Sequence, residues 1–396
     1  VYAIDNMRLG GTELNAVRTA ERLDRDRFAV SIICLKDEGP LSARYRDAGI
    51  PVEHLGLTSY STPRSLGTFA GITRSLRRAR ADIIHCQDIY SNVFIGACAH
   101  AAGARVVLSQ RWARDLPPPR YRWLNDLAYR FADMIVLNSP SHGQELARLM
   151  PGVAARLLVL PGFADDTAFA PVSSTERVAL RRSMGIPPDG LVIGMIARLS
   201  PVKNHTTLLR AFAQVSGSHP GVSLVFLGDG PARPALEAEC AALGITSRTY
   251  FLGEQTAPFN LHALFDLSVL PSLSEGFPNS IVEAMAAGKA VAASAIEGVR
   301  DAVLEGRTAL LAAPTDVRGL TANLQRLLSD QELRESLGRR GQQVATTNFR
   351  AGPVVEQLQG AYESVAAGGR PGPGWRLEDS SVRPDANEEA VKLNNA

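Results

Sequence analysis

The chain is poor in cysteine, in long apolar runs and in net charge, and each shortage removes a class of protein. Its four cysteines, Cys34, Cys86, Cys98 and Cys240, stand singly with no Cys-x-x-Cys pair. That argues against structural disulfides and against a zinc site, and it fits a reducing cytosol. No apolar stretch reaches the roughly 18 residues that read as a membrane span, and no signal-peptide pattern is present. A formal net charge of +2 gives no bulk attraction to nucleic acid, so no nucleic-acid partner is expected.

What is present is an ordinary globular composition, 45% hydrophobic and 21% charged, in 396 residues, too long for one usual core. The run from Val1 to Ile4 reads as a strand that Val1 already lies inside, so a few residues are expected upstream. Further strand-like runs at Phe28–Cys34, Val52–Leu55, Asp82–Cys86, Arg105–Ser109, Met134–Asn138 and Leu157–Leu160 alternate with helical stretches near 40–48, 65–80, 91–102, 119–132 and 140–150. Near-continuously apolar strands alternating with helices mean a parallel, doubly wound sheet. A second series runs through Leu191–Ala197, Ser223–Leu227, Tyr250–Leu252, Leu267–Leu270, Ala290–Ala293 and Ala309–Ala312. The expected fold class is therefore α/β, with two Rossmann-like domains at 1–165 and 166–350 facing a central cleft. Residues 351–366 read as a last helix, at Pro353–Ala366, and 367–396, which lack periodicity, as a disordered tail.

The densest chemistry lies between Ser274 and Lys289. Leu267–Leu270 reads as a buried strand, Pro271-Ser272-Leu273-Ser274 as turn chemistry, and Pro278 and Gly288 as the two ends of a helix over about 278–287. Glu275 then sits in the loop and Glu283 in the second turn of the helix. A helix amino end and acceptor-only carboxylates in one crevice suit an anion and sugar hydroxyls. The spacing alone is not diagnostic, because it recurs at Glu13/Glu21 and Glu297/Glu305. Only the 275/283 pair combines a strand exit, Gly276-Phe277-Pro278 at the turn, Asn279 and Ser280 at the helix start, and the small-residue run Ala284-Met285-Ala286-Ala287.

Other loops repeat the theme. Arg198 and Lys203 share one strand-to-helix loop, as two fixed cations suited to charge developing on a departing phosphate. Gly10-Gly11 lies between the first strand and its helix, where backbone N–H groups can close on phosphate or sugar. Gly228-Asp229-Gly230 and Leu252-Gly253-Glu254 end later strands, either as tight turns or as backbone contacts to a nucleotide. His85 ends a strand in the first half and reads either as a structural histidine or as a contact to an acceptor.

Together these blocks resemble the signature of retaining glycosyltransferases of the GT-B fold, in particular the large family four, the group 1 glycosyl transferases. The resemblance implies transfer of a sugar from a nucleoside diphosphate sugar to an acceptor hydroxyl, with retention by front-face attack. It implies that Arg198 and Lys203 hold the diphosphate, Glu275 the donor sugar and Glu283 the ribose. Gly228, Gly230 and Gly253 would meet the nucleotide through the main chain, Gly276, Phe277, Asn279 and Ser280 would line the donor, and the Gly10-Gly11 loop would close over it from the other domain. It also implies that the last helix, 351–366, crosses back to the first domain, and on this reading no cofactor is required, and no metal. Asp24-Arg25-Asp26 matches the metal motif of the other large glycosyltransferase fold but lies between a helix and a strand, at the wrong edge of the sheet. The chain departs from the family twice. Members carry a histidine after the strand that here ends in Gln110, where this chain has Arg111-Trp112, which leaves Arg111 as an acceptor-side candidate. Leu160-Pro161-Gly162-Phe163 replaces an Asn-Gly pair.

Two basic stretches remain. No acid occurs between Glu53 and Asp82, where Arg64, Arg74, Arg77, Arg78 and Arg80 lie, and Arg111, Arg114, Arg120 and Arg122 interleave with Trp112, Tyr121 and Trp123. A solvated face, peripheral contact with anionic lipid at the inner face of the membrane, and an acceptor carrying phosphate would each account for them. The expected partners are thus a nucleotide-sugar donor and a carbohydrate, lipid or small-molecule acceptor. The rivals are a phosphorylase or a sugar-nucleotide epimerase of the same fold, and a non-catalytic nucleotide-sugar-binding subunit.

Overall fold

A computed structural model of the chain describes residues 1–57, 63–113, 118–255, 261–372 and 374–377, with the backbone alone for 63–66. Arg114, the Arg64 side chain and most of the expected tail lie outside the described residues. The chain divides into two compact units, Val1–Phe163 with Ala351–Arg376, and Ala164–Arg350.

In the first unit, β1 (Tyr2–Ile4), β2 (Ile32–Cys34), β3 (Val52–His54), β4 (Ile83–Cys86), β5 (Arg105–Gln110), β6 (Met134–Leu137) and β7 (Leu157–Val159) form a sheet in the order β3-β2-β1-β4-β5-β6-β7. Every pair is parallel. The connecting helices are α1 (Gly11–Arg22), α2 (Ser42–Asp47), α3 (Pro63–Ala79), α4 (Ile89–Ala102), α5 (Pro119–Phe131) and α6 (Pro140–Leu149). Apolar side chains cover both faces of the sheet, as a parallel sheet requires. Ile33, Ile84, Leu108 and Ile135 pack under α3–α6, while Tyr2, Ile4, Val107 and Val136 pack under α1 and α2. Strand order reverses between β1 and β4, so the loops at their carboxyl ends diverge there.

The second unit repeats the design with β8 (Val192–Ile196), β9 (Ser223–Leu227), β10 (Thr249–Phe251), β11 (Leu267–Leu270), β12 (Ala290–Ser294) and β13 (Ala309–Ala312), ordered β10-β9-β8-β11-β12-β13 and all parallel. Its helices are α7 (Ser174–Ser183), α8 (His205–Ser216), α9 (Arg233–Ala242), α10 (Asn279–Ala286), α11 (Glu297–Arg300), α12 (Val317–Ser329) and α13 (Gln331–Asn348). The switch point falls between β8 and β11. Their amino ends are pinned by one buried ion pair. Arg181 on α7 donates to Leu264 O and Asp266 Oδ2, both at 2.8 Å, and Asp266 Oδ2 also accepts from Val192 N at 2.7 Å. The last helix, α14 (Ala351–Ala366), belongs to the first unit and completes the layer over Tyr2 and Val136.

Several elements are shorter than the sequence suggests, and for two of them the reason is visible. The run expected from Phe28 enters the sheet only at Ile32, because Phe28 N closes a turn on Asp24 O at 2.8 Å and Asp26 N bonds the Asp24 side chain at 2.9 Å. The Asp24-Arg25-Asp26 segment is that turn. Pro278 precedes α10 and is not part of it. Its carbonyl accepts from Ile281 N at 2.9 Å, and Gly288, at φ +67°, follows the helix end.

Candidate active site

The two strands flanking the second unit's switch point deliver the acid and the cation to one place. Lys203, in the loop after β8, lies with Nζ 2.5 Å from Glu275 Oε1, in the loop after β11. Ser272 Oγ donates to the same carboxylate oxygen at 2.6 Å. Glu275 is 9% exposed, so its charge is held by these contacts more than by water. The loops are tied to each other as well. Leu273 N donates to Val202 O at 2.8 Å, and Asn204 Nδ2 to Pro271 O at 3.0 Å. Asn204 takes the left-handed conformation, φ +54°, that lets the chain turn into α8.

Arg198 leaves β8 two residues past its end and is exposed; among the described residues it has no ion-pair or hydrogen-bond partner. Its loop is wedged from one side by Gly228 and Gly230. At φ +134° and +159°, any Cβ there would collide with the carbonyl oxygens of Ala197 and Leu199. Gly228 N also bonds Gly253 O at 2.8 Å, so these glycines shape the floor beside Arg198. From the other side, α11 closes on Glu275. A Cβ on Gly298 would stand 2.5 Å from the Glu275 carbonyl oxygen and 3.0 Å from that of Gly276. Gly276 and Phe277 are buried, Phe277 edge-on to Phe349 with centroids 5.8 Å apart, while Asn279 and Ser280 are half-buried at the start of α10.

Glu283, one turn into α10, is half-buried, with Oε2 4.0 Å from His262 Nε2. Burial lowers His262 to about 3 and Lys289 adds to that, so the ring facing Glu283 is neutral. Burial, with Lys203 nearby, likewise lowers His205 at the start of α8 to about 4. The structure brings together Lys203 and Glu275 of the expected residues, with Arg198 in the Lys203 loop, and adds Ser272 and Gly298, which were not among them. The Ser-x-x-Glu spacing was a local signal for Ser272; nothing local marks Gly298.

In the first unit the switch point is polar. Asp88 Oδ2 accepts from Asp5 N at 2.7 Å, its Oδ1 caps α4, and Lys36 Nζ lies 3.1 Å from Asp5 Oδ2. Burial pushes the Asp88 carboxyl up to about 6. Gly10 and Gly11 open α1 beside it. Of the two readings of His85, the structure bears out the structural one and not the acceptor contact, because the side chain has almost no free surface. It is 1% exposed, on the face of β4 that α14 covers, with Nδ1 2.5 Å from the Tyr362 hydroxyl and Nε2 2.7 Å from Ser109 Oγ. Burial holds it well below the usual histidine range, with the Arg111 charge adding to the effect. Arg111 is half-buried at the carboxyl end of β5 and donates to Gln87 Oε1 at 3.3 Å, while its buried Nε has no partner among the described residues. Desolvation lowers its pKa, against the neighbouring Tyr2 and Tyr362. Among the described residues no three His, Cys, Asp or Glu side chains come together as a metal-binding group.

Known proteins share this architecture. Residues 176–344 match the family model described as glycosyl transferases group 1, and residues 10–162 match that of the glycosyl transferase 4-like domain. The D-inositol 3-phosphate glycosyltransferase of Salinispora arenicola is 30% identical over 346 residues, spanning 79% of this chain and 77% of the relative. The enzyme of the same description from Salinispora tropica is 29% identical, spanning 90% of this chain and 82% of the relative. Anabaena HepE, crystallised with UDP and glucose, superposes with a TM-score of 0.80 at 24% identity, covering 92% of this chain and 99% of that one. With both halves matched in this order, the chain belongs to the group 1 glycosyltransferases of the GT-B fold.

Proposed function

We propose that the protein moves a sugar from a nucleoside diphosphate sugar to an acceptor hydroxyl with retention of configuration at the anomeric carbon. The observation that carries this reading is the Lys203–Glu275 pair, 2.5 Å apart on loops from the two strands that flank the switch point, with the exposed Arg198 in the Lys203 loop. Arg198 and Lys203 bind the diphosphate. An ammonium has three donors, so Lys203 can keep Glu275 while it reaches a phosphate oxygen. Glu275 accepts from hydroxyls of the donor sugar, and Glu283 from the ribose. Gly228, Gly230 and Gly253 offer main-chain contacts to the nucleotide. HepE, bound to UDP and glucose, supports a donor of this class.

In the transfer, the acceptor oxygen bonds to the anomeric carbon on the face from which the phosphate departs. The bond from that carbon to the phosphate oxygen breaks, and the leaving phosphate takes the acceptor proton. Two fixed cations stabilise the charge that develops on the phosphate, an interaction stronger in the transition state than in the ground state. This assigns to Arg198 and Lys203 the work a divalent cation would otherwise do, so turnover that survives EDTA is expected. Arg111, a half-buried guanidinium without an acidic partner among the described residues, is the acceptor-side candidate.

The experiment is product analysis with UDP-, GDP- and ADP-sugars. Nucleoside diphosphate release matched by an α-linked product from an α-linked donor is expected. Turnover that requires inorganic phosphate would point to a phosphorylase, and an epimerised donor without acceptor to an epimerase. Donor binding without turnover would point to a non-catalytic subunit. A nucleotide held at about a hundred times its dissociation constant adds roughly 2.7 kcal/mol to stability, so thermal unfolding with UDP, GDP, ADP and CDP names the base.

A further inference from the structure

Helix α5 buries two polar-tipped side chains and exposes three large apolar ones. Its inward face carries Asn125 and Tyr129, both buried. Asn125 Oδ1 accepts from Asn92 Nδ2 at 2.8 Å, and the Tyr129 hydroxyl donates to Gln110 Oε1 at 3.1 Å. Its outward face carries Trp123, Leu127 and Phe131 at four-residue spacing, 66%, 40% and 55% exposed. Single apolar residues on a surface need no explanation, but three large ones in line on one helix do. Beside this stripe an apolar groove of about 270 Å³ opens between α4 and α5, with Val93, Ala97, Leu124, Leu127, Ala128 and Phe131 among its walls.

The charges on the helices around the groove are mostly of one sign. Helices α3 and α4 contain no acid, and α5 has one, the half-buried Asp126. Arg74, Arg77 and Arg78 are exposed on α3, Arg80 just after it, and Arg120 and Arg130 towards the two ends of α5. The three helices lie side by side, α3 on α4 and α4 on α5. The exposed charge of these three helices is thus arginine; the acids nearby are Asp126 on α5, Asp82 after Arg80, and Asp133 after α5, which pairs with Arg105 at 3.0 Å.

We infer that this face docks on an anionic lipid bilayer. Trp123, Leu127 and Phe131 enter the interface, an acyl chain occupies the groove, and the flanking arginines meet lipid phosphates. A bilayer supplies a negative surface and an apolar interior along one plane, which is the arrangement this face complements. Tryptophan is also the side chain most at home at that boundary. Among the described residues no helix is long and apolar enough to cross a membrane, so the contact is peripheral. The inference does not depend on the transfer reaction, because it concerns none of the residues assigned to the donor.

The test is co-sedimentation of the full chain with phosphatidylcholine vesicles, with and without phosphatidylglycerol, at low and high salt. Binding to the anionic vesicles that fades with salt is expected. The double variant W123S/F131S should bind at least roughly tenfold more weakly, and R120Q/R130Q about fivefold more weakly per arginine removed. All four positions are exposed, and unchanged thermal unfolding checks that the fold survives. Failure of the parent chain to sediment with anionic vesicles at low salt overturns the inference, as does equal binding by W123S/F131S. Self-association that W123S/F131S abolishes, with no vesicle binding, would instead make the face an interface between copies of the chain.

Discussion

Gly298 stands so close to the main chain of Glu275 that a Cβ on it would lie 2.5 Å from the Glu275 carbonyl oxygen. The first residues of α11 are therefore a wall behind the loop that presents the carboxylate. Gly298→Ala must push that loop towards β8 or push α11 away. A displacement of this kind is expected to lower kcat by about 10²-fold, with an overpacking cost of about 1–3 kcal/mol. Steady-state transfer kinetics with denaturant unfolding check it, and an unchanged kcat would show that the wall does not position Glu275.

Arg198 and Lys203 share a loop but not an environment, and their variants should separate accordingly. Arg198 is exposed, so Arg198→Ala is expected to leave stability within about 0.5 kcal/mol while lowering the transfer rate by roughly 10²–10³-fold. Lys203→Ala strips the cation from a carboxylate that is only 9% exposed, so a comparable loss of rate should come with about 1–3 kcal/mol of lost stability. Full activity in either variant would remove that residue from the phosphate-binding role.

The strands were legible because parallel strands covered on both faces are short uninterrupted apolar runs, and Leu267–Leu270 and Ser223–Leu227 were read to the residue. Ends were less so. The apolar look of Phe28–Cys34 concealed a turn organised by Asp24 from outside the run. The positions of the Arg198, Lys203 and Glu275 loops were legible because strand exits followed by glycine, proline or cations have a local pattern, while the roles expected of these residues came from the family resemblance. His85 kept two readings, because its neighbour is remote. The Tyr362 hydroxyl that satisfies it comes from 277 residues along the chain, and only the strand's alternation, with Ile84 and Cys86 on the opposite face, decides that α14 covers it. Gly298 was missed for the same reason, since its constraint is a carbonyl on another loop.

The amino ends of β8 and β11 depend on Asp266. Its carboxylate takes Arg181, 2.8 Å away and 3% exposed, together with Arg177 at 3.1 Å and the Val192 amide at 2.7 Å. Asp266→Ala leaves a buried guanidinium without its carboxylate and is expected to cost about 3–5 kcal/mol. Because the pair sits at the end of the strands away from Lys203 and Glu275, folded variant protein should keep its KM for the donor. Urea unfolding together with donor titration tests both halves of the expectation.

Acid should weaken the second unit through its buried histidines. His205 is lowered from 6.5 to about 4 by burial, with Lys203 adding to it, and His262 from 6.5 to about 3 by burial, with Lys289 adding to it. The folded state therefore binds fewer protons than the unfolded chain below pH 6.5. The stability these neutral rings contribute is fully present above that pH. It is lost as pH falls, at up to about 1.4 kcal/mol per pH unit for each ring, until each folded pKa is reached. In the first unit Asp88 works in the opposite sense. Its carboxyl is raised to about 6 by burial, so the cost of burying its charge at neutral pH is relieved between about 6 and its usual 3.8. Unfolding of the parent chain measured from pH 7 to pH 4.5 should show a falling midpoint. In His205→Phe, whose ring can take the edge-on place beside Phe226 at the 5.3 Å centroid separation seen here, the slope should be shallower by about one proton. An identical slope in that variant would mean that His205 is already charged in the folded protein.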